Sequence, residues 1–185
     1  MVLMVQRKQK TEKRKEMFNE NGYVEHIVKG KTPAGVILAT VIGVIISLVG
    51  MGLAFATGGI GFSFLLIGIV VIVLAMSKRD VEYEYIMTND DVDISRIVAK
   101  SSRKKVYSFT GKDVKIITKA DSVYRDNEHQ ANPDIRSHVF VMDEAGDNVY
   151  AFILNVNGKP EEVLIETNDR VMEHIGSFFR GKLKK

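Results

Sequence analysis

The chain has no cysteine among its 185 residues, and this absence removes several kinds of chemistry at once. Disulfide bonds, thiolate catalysis and zinc or iron–sulfur sites with cysteine ligands are all excluded. The four histidines are scattered along the sequence. No phosphate-binding loop, nucleophile elbow, metal-binding helix motif or dinucleotide fingerprint is present. We therefore expect no catalytic residues, no cofactor and no metal site, and we predict that the protein is not an enzyme.

A second absence concerns charge, because residues 32–77 contain no Asp, Glu, Lys, Arg or His. A helix needs about 20 apolar residues to cross a hydrocarbon core of roughly 30 Å, so this stretch is long enough for two crossings. A glycine-containing turn at residues 57–59 divides it. The pattern predicts a transmembrane helical hairpin over residues 32–79, with helices at about 33–56 and 60–77.

The net charge of +3 is unevenly distributed along the chain. Residues 1–31 form a basic leader, with Met1 and Met17 as alternative starts and an interfacial segment predicted at 18–28. The cytoplasmic domain predicted at 80–185 carries more acidic than basic side chains, which argues against a nucleic-acid partner. Because both ends of the hairpin are basic and its turn is uncharged, the positive-inside rule predicts a multi-pass plasma-membrane protein with both termini in the cytoplasm.

Small residues recur at regular intervals along both predicted helices. Small side chains let membrane helices approach each other closely, so they predict where the two helices pack. The predicted packing residues are Ala39, Gly43 and Ser47, spaced by four, and Gly61, Gly68 and Ala75, spaced by seven. Self-association through the hairpin would make the protein a homo-oligomer.

The chain after the hairpin has the alternation of apolar and polar residues that is typical of strands. Seven strands are predicted, at 81–88, 92–98, 104–109, 113–118, 137–143, 148–155 and 162–166. An amphipathic helix is predicted at about 168–180, after a capping sequence at 167–169.

The connection at 119–136 is too long for a simple turn, and its length predicts either a mobile partner-binding loop or a plain disordered loop. Asp126, Glu128 and His129 within it raise the alternative of a metal site, but their spacing matches no ligand motif.

The order of seven strands followed by one helix resembles that of a pleckstrin-homology-like (PH-like) domain. On Lys31-Thr32-Pro33, Val81-Glu82-Tyr83-Glu84-Tyr85 and Thr88-Asn89, the chain resembles a family of small bacterial membrane proteins with a two-helix hairpin and a C-terminal bacterial PH-like domain. The resemblance implies a membrane α-hairpin plus a mainly-β domain, with seven antiparallel strands in a bent sheet or partial barrel capped by the C-terminal helix. Phosphoinositide-binding PH domains have a basic first loop, whereas residues 89–91 here are Asn-Asp-Asp, so inositol phosphate binding is not implied.

The short link between the hairpin and the first of these strands has a geometric consequence. That strand must start at the membrane, and alternate turns of an antiparallel meander return to the end where it starts. The turn at 99–103 should therefore lie near the anionic leaflet, where basic residues are favoured. The predicted membrane-proximal basic residues are Lys78, Arg79, Lys100, Arg103, Lys104 and Lys105.

Two functional hypotheses follow from the sequence. The first is a membrane-anchored, non-enzymatic PH-like binding or scaffold module that faces the cytoplasm and contacts the lipid bilayer, through anionic lipid headgroups, or an unknown protein partner. The alternative is a structural or accessory subunit of a larger membrane complex, which associates through the transmembrane hairpin.

Overall fold

A computed structural model describes residues 22–57 and 59–184 of the chain. The basic residues predicted for the leader before residue 22, and the choice between Met1 and Met17, lie outside the described residues. Gly58, in the predicted turn of the hairpin, lies outside them as well.

The uncharged stretch forms two apolar helices, α1 (Ala34–Thr57) and α2 (Gly59–Met76), as predicted within about one residue at each end. Pro33 precedes α1, where its fixed φ suits the start of a helix, and its carbonyl accepts from the Val36 N–H at 2.9 Å. Both helices are long and apolar enough to cross a membrane. Most of their large side chains are exposed, Phe55 to 90 %, so the described part of the chain does not cover them.

The strands form two four-stranded sheets. The first sheet has the order β1-β2-β3-β4, with strands Tyr23–Lys29, Val81–Thr88, Asp91–Val98 and Ser102–Thr110. The second has the order β5-β7-β8-β6, with β5 at Val114–Lys119, β6 at Arg136–Val139, β7 at Val149–Val156 and β8 at Lys159–Glu166. Helix α3 (Val123–Ala131) follows β5, and helix α4 (Asp169–Phe178) follows β8.

The prediction of seven antiparallel strands in one bent sheet is corrected in three respects. An eighth strand, β1, precedes the hairpin and replaces the predicted interfacial segment where that segment is described. The strands divide between two sheets. Finally, β6 pairs with β8 in parallel, from Arg136↔Glu161 to Val139↔Leu164, and it is shorter than predicted.

The prediction of a mobile or disordered loop at 119–136 is wrong, because the segment contains α3. The Ser122 side chain caps the helix by accepting from the Tyr124 N–H at 3.1 Å, which satisfies one of the free amides at a helix start. No residue of α3 is buried. The helix is therefore attached through polar contacts, which explains why its sequence lacks an apolar stripe.

The second sheet is buried on both faces. Phe152, Leu154 and Val163 belong to a core that also contains residues of the first sheet and of α4. Alternate residues of the same strands, such as Ile153 and Leu164, belong to a separate cluster on the opposite face. This arrangement accounts for the continuous apolar runs in β7 and β8, since a strand covered on both sides has no polar face.

The described residues divide into two compact units. One contains 22–28, Tyr83–Ser95 and residues 105–184, and thus most of both sheets together with α3 and α4. The other contains Lys29–Glu82 and Arg96–Lys104, and thus the hairpin and the turn between β3 and β4.

Candidate functional site

The two ends of the hairpin are joined by backbone hydrogen bonds. The Gly30 N–H, before α1, donates to the Val81 carbonyl, after α2, at 2.8 Å. The Ala99 N–H, in the β3–β4 turn, donates to the Asp80 carbonyl at 2.9 Å. We call residues 29–31, 78–81 and 99–104 the hairpin base. Three separate stretches of chain therefore meet where the helices begin and end.

The hairpin base is rich in exposed basic side chains. Lys29, Lys31, Lys78, Arg79, Lys100, Arg103 and Lys104 are all exposed. Five of them belong to the predicted membrane-proximal set, and Lys29 and Lys31 extend it. The sixth predicted residue, Lys105, lies outside the base and forms an ion pair with Asp93 at 2.6 Å. Asp80 is the one acidic residue of the base and is exposed as well, so the base carries a net positive charge, which is suited to contact with anions.

The β3–β4 turn within the base has an unusual backbone. Ala99 and Lys100 both have positive φ, 53° and 56°, and the Ser101 N–H donates to the Val98 carbonyl at 3.2 Å. This is the geometry of a type I′ turn, which normally carries Asn-Gly because a Cβ atom disfavours left-handed backbone and asparagine tolerates it best among residues with a side chain. The chain thus retains a lysine at a position where glycine would be easier to accommodate.

Replacement of Ala99 by asparagine should relieve part of this strain. We expect the free energy of unfolding to rise by about 0.5–1 kcal/mol, because asparagine adopts left-handed backbone more readily than alanine. Thermal unfolding of the full-length protein would measure the change. Ala145→Asn is the matched control, because Ala145 is also exposed in a turn but does not have positive φ. An equal rise in the free energy of unfolding of both variants would show that the backbone at Ala99 is not strained.

The predicted helix-packing residues lie at or beside the contact between α1 and α2. Gly43, Gly61, Gly68 and Ala75 are buried. A Cβ placed at Gly68 would lie 2.7 Å from the Gly43 carbonyl oxygen and would overlap the Ser47 hydroxyl. The Ser47 hydroxyl itself donates to the Gly43 carbonyl at 2.9 Å. Ala39 is half-buried.

One residue of this contact was missed by the sequence reasoning. Gly50 is buried on α1, and a Cβ there would overlap the Leu65 backbone. It stands seven residues after Gly43, which is the same spacing as in the predicted series on α2. That repeat could have identified it.

A buried carboxylate, that of Glu162 in β8, is the centre of a polar cluster. Its side chain is fully buried. Arg125 of α3 donates from Nε at 2.7 Å and from Nη2 at 3.2 Å, the Ser137 hydroxyl donates at 2.6 Å, and His129 Nε2 lies 3.0 Å away. Burial alone would raise the pKa of Glu162, but these hydrogen bonds and the Arg125 charge outweigh it and lower the pKa to about 2. This cluster attaches α3 to the sheet.

The neighbouring carboxylate, Glu161, points to the other face of the strand. It accepts a short hydrogen bond from the Tyr107 hydroxyl, and His138 Nε2 lies 3.0 Å away. The hydrogen bond from Tyr107 lowers the pKa of Glu161, while burial and the same bond raise the pKa of Tyr107. The Glu161 carboxylate therefore joins β8 to Tyr107 of β4 and to His138 of β6.

The alternative metal site on the 119–136 connection does not form. Glu128 pairs with Lys115 at 2.7 Å, and His129 is committed to Glu162. Within residues 22–57 and 59–184, no three His, Asp or Glu side chains come together in a way that could hold a metal ion.

Sequence reasoning did not find the partners of Glu161 and Glu162. The available signal was the Glu-Glu pair just before the apolar run Val163–Ile165, because a carboxylate inside a buried strand requires a partner. The sequence does not reveal which residues supply it, since α3 was not predicted.

Comparison with known proteins bears on this architecture. No curated protein and no solved structure matches the chain. A family model described as the bacterial PH-like domain matches residues 20–185, a range that includes both apolar helices and both sheets. A match over so much of the chain shows the family, and the protein therefore belongs to the bacterial PH-like domain family.

Proposed function

We propose that the protein is a membrane-anchored PH-like module whose hairpin crosses the bilayer twice and whose basic hairpin base contacts anionic headgroups of the inner leaflet. The observation that carries the proposal is the pair of backbone hydrogen bonds at the hairpin base, Gly30 to Val81 and Ala99 to Asp80. They bring basic residues from three stretches of chain to the two ends of the apolar helices.

The strand order supports an even number of membrane crossings. Strand β1 precedes the hairpin, β2 follows it, and the two are neighbours in one sheet. A backbone ladder cannot continue through a bilayer, because hydrocarbon satisfies no open sheet edge. Both flanks of the hairpin must then lie on the same side, and their basic residues favour the cytoplasmic side.

The charges at the hairpin base support contact with the leaflet. A basic residue near an anionic surface contributes about 1 kcal/mol, and the effect decays within a Debye length. The exposed Lys100 and Lys104 stand in the stretch that is tied to Asp80, directly after the end of α2. The strained turn at Ala99 and Lys100 also favours a role for the lysine beyond turn formation.

The test uses the full-length protein in lipid nanodiscs of anionic or zwitterionic composition. Because the chain has no cysteine, a fluorophore on Ser101→Cys reports from the turn alone. We expect spin-labelled headgroups to quench it in anionic discs, with less quenching in zwitterionic discs and at high salt. The triple variant Lys100→Glu, Arg103→Glu and Lys104→Glu should abolish the difference between the two lipid compositions.

A matched variant changes three exposed basic residues outside the hairpin base, namely Lys112→Glu, Lys159→Glu and Arg170→Glu. It has the same net charge as the first triple variant and should retain quenching in anionic discs. If the labelled protein with its basic residues unchanged were quenched equally in both lipid compositions, contact of the hairpin base with anionic headgroups would be refuted. The alternative, a subunit that associates through the hairpin, would then be the better hypothesis.

A further inference from the structure

A groove of about 620 Å³ lies beside α3. None of the residues that line it belongs to the hairpin base. Its walls come from the start of α3, the end of β5, strand β7, helix α4 and the tail that follows α4. Known small-molecule sites have volumes of roughly 300–1,000 Å³ and are mostly apolar with a few polar groups. The groove has this size, and Tyr150, Met172 and Leu183 contribute to its apolar lining.

The α3 side of the groove exposes apolar side chains to solvent. Val123 is 70 % exposed and Tyr124 is 46 % exposed, and both line the groove. The helix does not bury them, because it is attached to the sheet through Arg125 and His129, which contact Glu162. Because polar contacts hold α3 to the sheet, the side chains of Val123 and Tyr124 remain available to a ligand.

The opposite side of the groove is formed by the C-terminal tail, which is fixed to the edge of β5. The Ile117 N–H donates to the Lys182 carbonyl at 2.8 Å, and the Lys184 N–H donates to the Ile117 carbonyl at 2.8 Å. The Lys182 ammonium also donates to the Val114 carbonyl at 2.6 Å. These bonds hold Leu183 in the lining of the groove, to which the exposed Lys184 also belongs.

The charges of the lining residues favour an anion. Lys119 and Lys184 line the groove together with one acidic residue, Asp121. Hydroxyl groups are present as well, since the Thr118 hydroxyl donates to the Ser122 hydroxyl at 2.8 Å within the lining. A mostly apolar lining that includes two exposed lysines and the hydroxyls of Thr118 and Ser122 is complementary to a molecule with an apolar body and one anionic end.

We propose that this groove binds a small monoanionic amphiphile, of the chemical class of a long-chain carboxylic acid. The apolar body lies against Val123, Tyr124 and Leu183, and the anionic end is placed between Lys119 and Lys184. The groove shares no residue with the hairpin base. This proposal therefore does not depend on whether the base contacts the leaflet.

The test uses the full-length protein in zwitterionic nanodiscs and the probe dansyl-aminoundecanoic acid. The chain has no tryptophan, so Tyr124→Trp supplies its one tryptophan donor at the groove, which is excited selectively at wavelengths that tyrosine does not absorb. We expect saturable energy transfer to the dansyl group. Met142→Trp, at an exposed residue outside the groove, is the control donor. Probe that only partitions into the disc would give both donors the same unsaturable signal, which would overturn the proposal.

The anionic end is tested by two comparisons in the Tyr124→Trp protein. Lys119→Glu with Lys184→Glu should weaken binding of the acid at least tenfold, whereas Lys112→Glu with Lys159→Glu should leave it unchanged. The methyl ester of the probe should bind at least tenfold more weakly than the acid. Equal affinity for acid and ester, or equal loss in both lysine pairs, would overturn the assignment of the ligand class.

Discussion

Replacement of Arg125 by methionine is expected to lower the free energy of unfolding by about 3 kcal/mol at neutral pH, because it leaves a buried carboxylate without its cation. The Glu162 side chain is fully buried, and Arg125 is its bidentate partner. Ser137 and His129 would remain, but neither supplies the permanent charge that a guanidinium provides. Denaturant unfolding of the full-length protein, followed by tyrosine circular dichroism, would measure the loss.

The effect of Arg125→Met should depend on pH in a defined direction. The pKa of Glu162 is about 2 in the folded protein against an ordinary value of 4.5. A carboxyl group with a lowered pKa stabilises the fold above its unfolded pKa, and the contribution is lost as pH falls through the folded pKa. The stabilities of wild type and variant should therefore converge as the pH falls from about 4.5 towards 2.

Two further variants make this prediction specific. Lys115→Met removes the ion pair with Glu128, whose lysine is 55 % exposed, and an exposed pair contributes only about 0–1 kcal/mol. Arg125→Met combined with Glu162→Leu removes both partners and should recover most of the stability, since no charge remains buried. If Arg125→Met lowered the free energy of unfolding no more than Lys115→Met does, the contacts around Glu162 would not be what attaches α3 to the sheet.

Replacement of Gly61 by leucine should separate the two helices of the hairpin. A Cβ at Gly61 would overlap the Ala54 backbone, and backbone cannot move aside as a flexible side chain can. Overpacking typically costs about 1–3 kcal/mol and occasionally more. We expect a longer distance between spin labels on Ile42→Cys and Val73→Cys, measured by pulsed electron resonance in nanodiscs.

The chain contains its own control for this substitution. Gly52 lies on α1, and a Cβ there would meet nothing within 4 Å. Gly52→Leu should leave the label distance unchanged, because the new side chain extends into free space. An equal response to both substitutions would show that close packing at Gly61 does not hold the helices together.

The sequence predicted those parts of the fold that depend on local pattern. Absence of charge over 32–77 located both apolar helices, and alternation located β2 to β5, β7 and β8. Strand β1 was missed because its neighbour in the sheet lies beyond the hairpin, so no nearby hairpin turn marked it. Helix α3 was missed because polar contacts hold it, and the partners of those contacts lie elsewhere in the chain.

The same distinction applies to the candidate site. Periodic small residues predicted the contacts at Gly43, Gly61 and Gly68, since spacing alone determines which face of a helix they share. The direct link from α2 to β2 predicted that the basic turn lies near the bilayer; the Ala99–Asp80 hydrogen bond joins that turn to the residue before β2, and its position relative to a membrane stays a prediction. Lys105 could not be assigned from the sequence, because its ion pair with Asp93 depends on side-chain packing between strands. The parallel pairing of β6 with β8 likewise depends on long-range packing.

Because β1 precedes the hairpin, the strands of the first sheet are synthesised at widely separated times. A ribosome adds roughly 5–20 residues per second, so β1 emerges several seconds before its neighbour β2, which follows the apolar helices. The first sheet cannot form until both helices have been translated. A nascent chain that stalls within the hairpin has β1 without its neighbour strand, so formation of the first sheet requires that the whole hairpin has been translated.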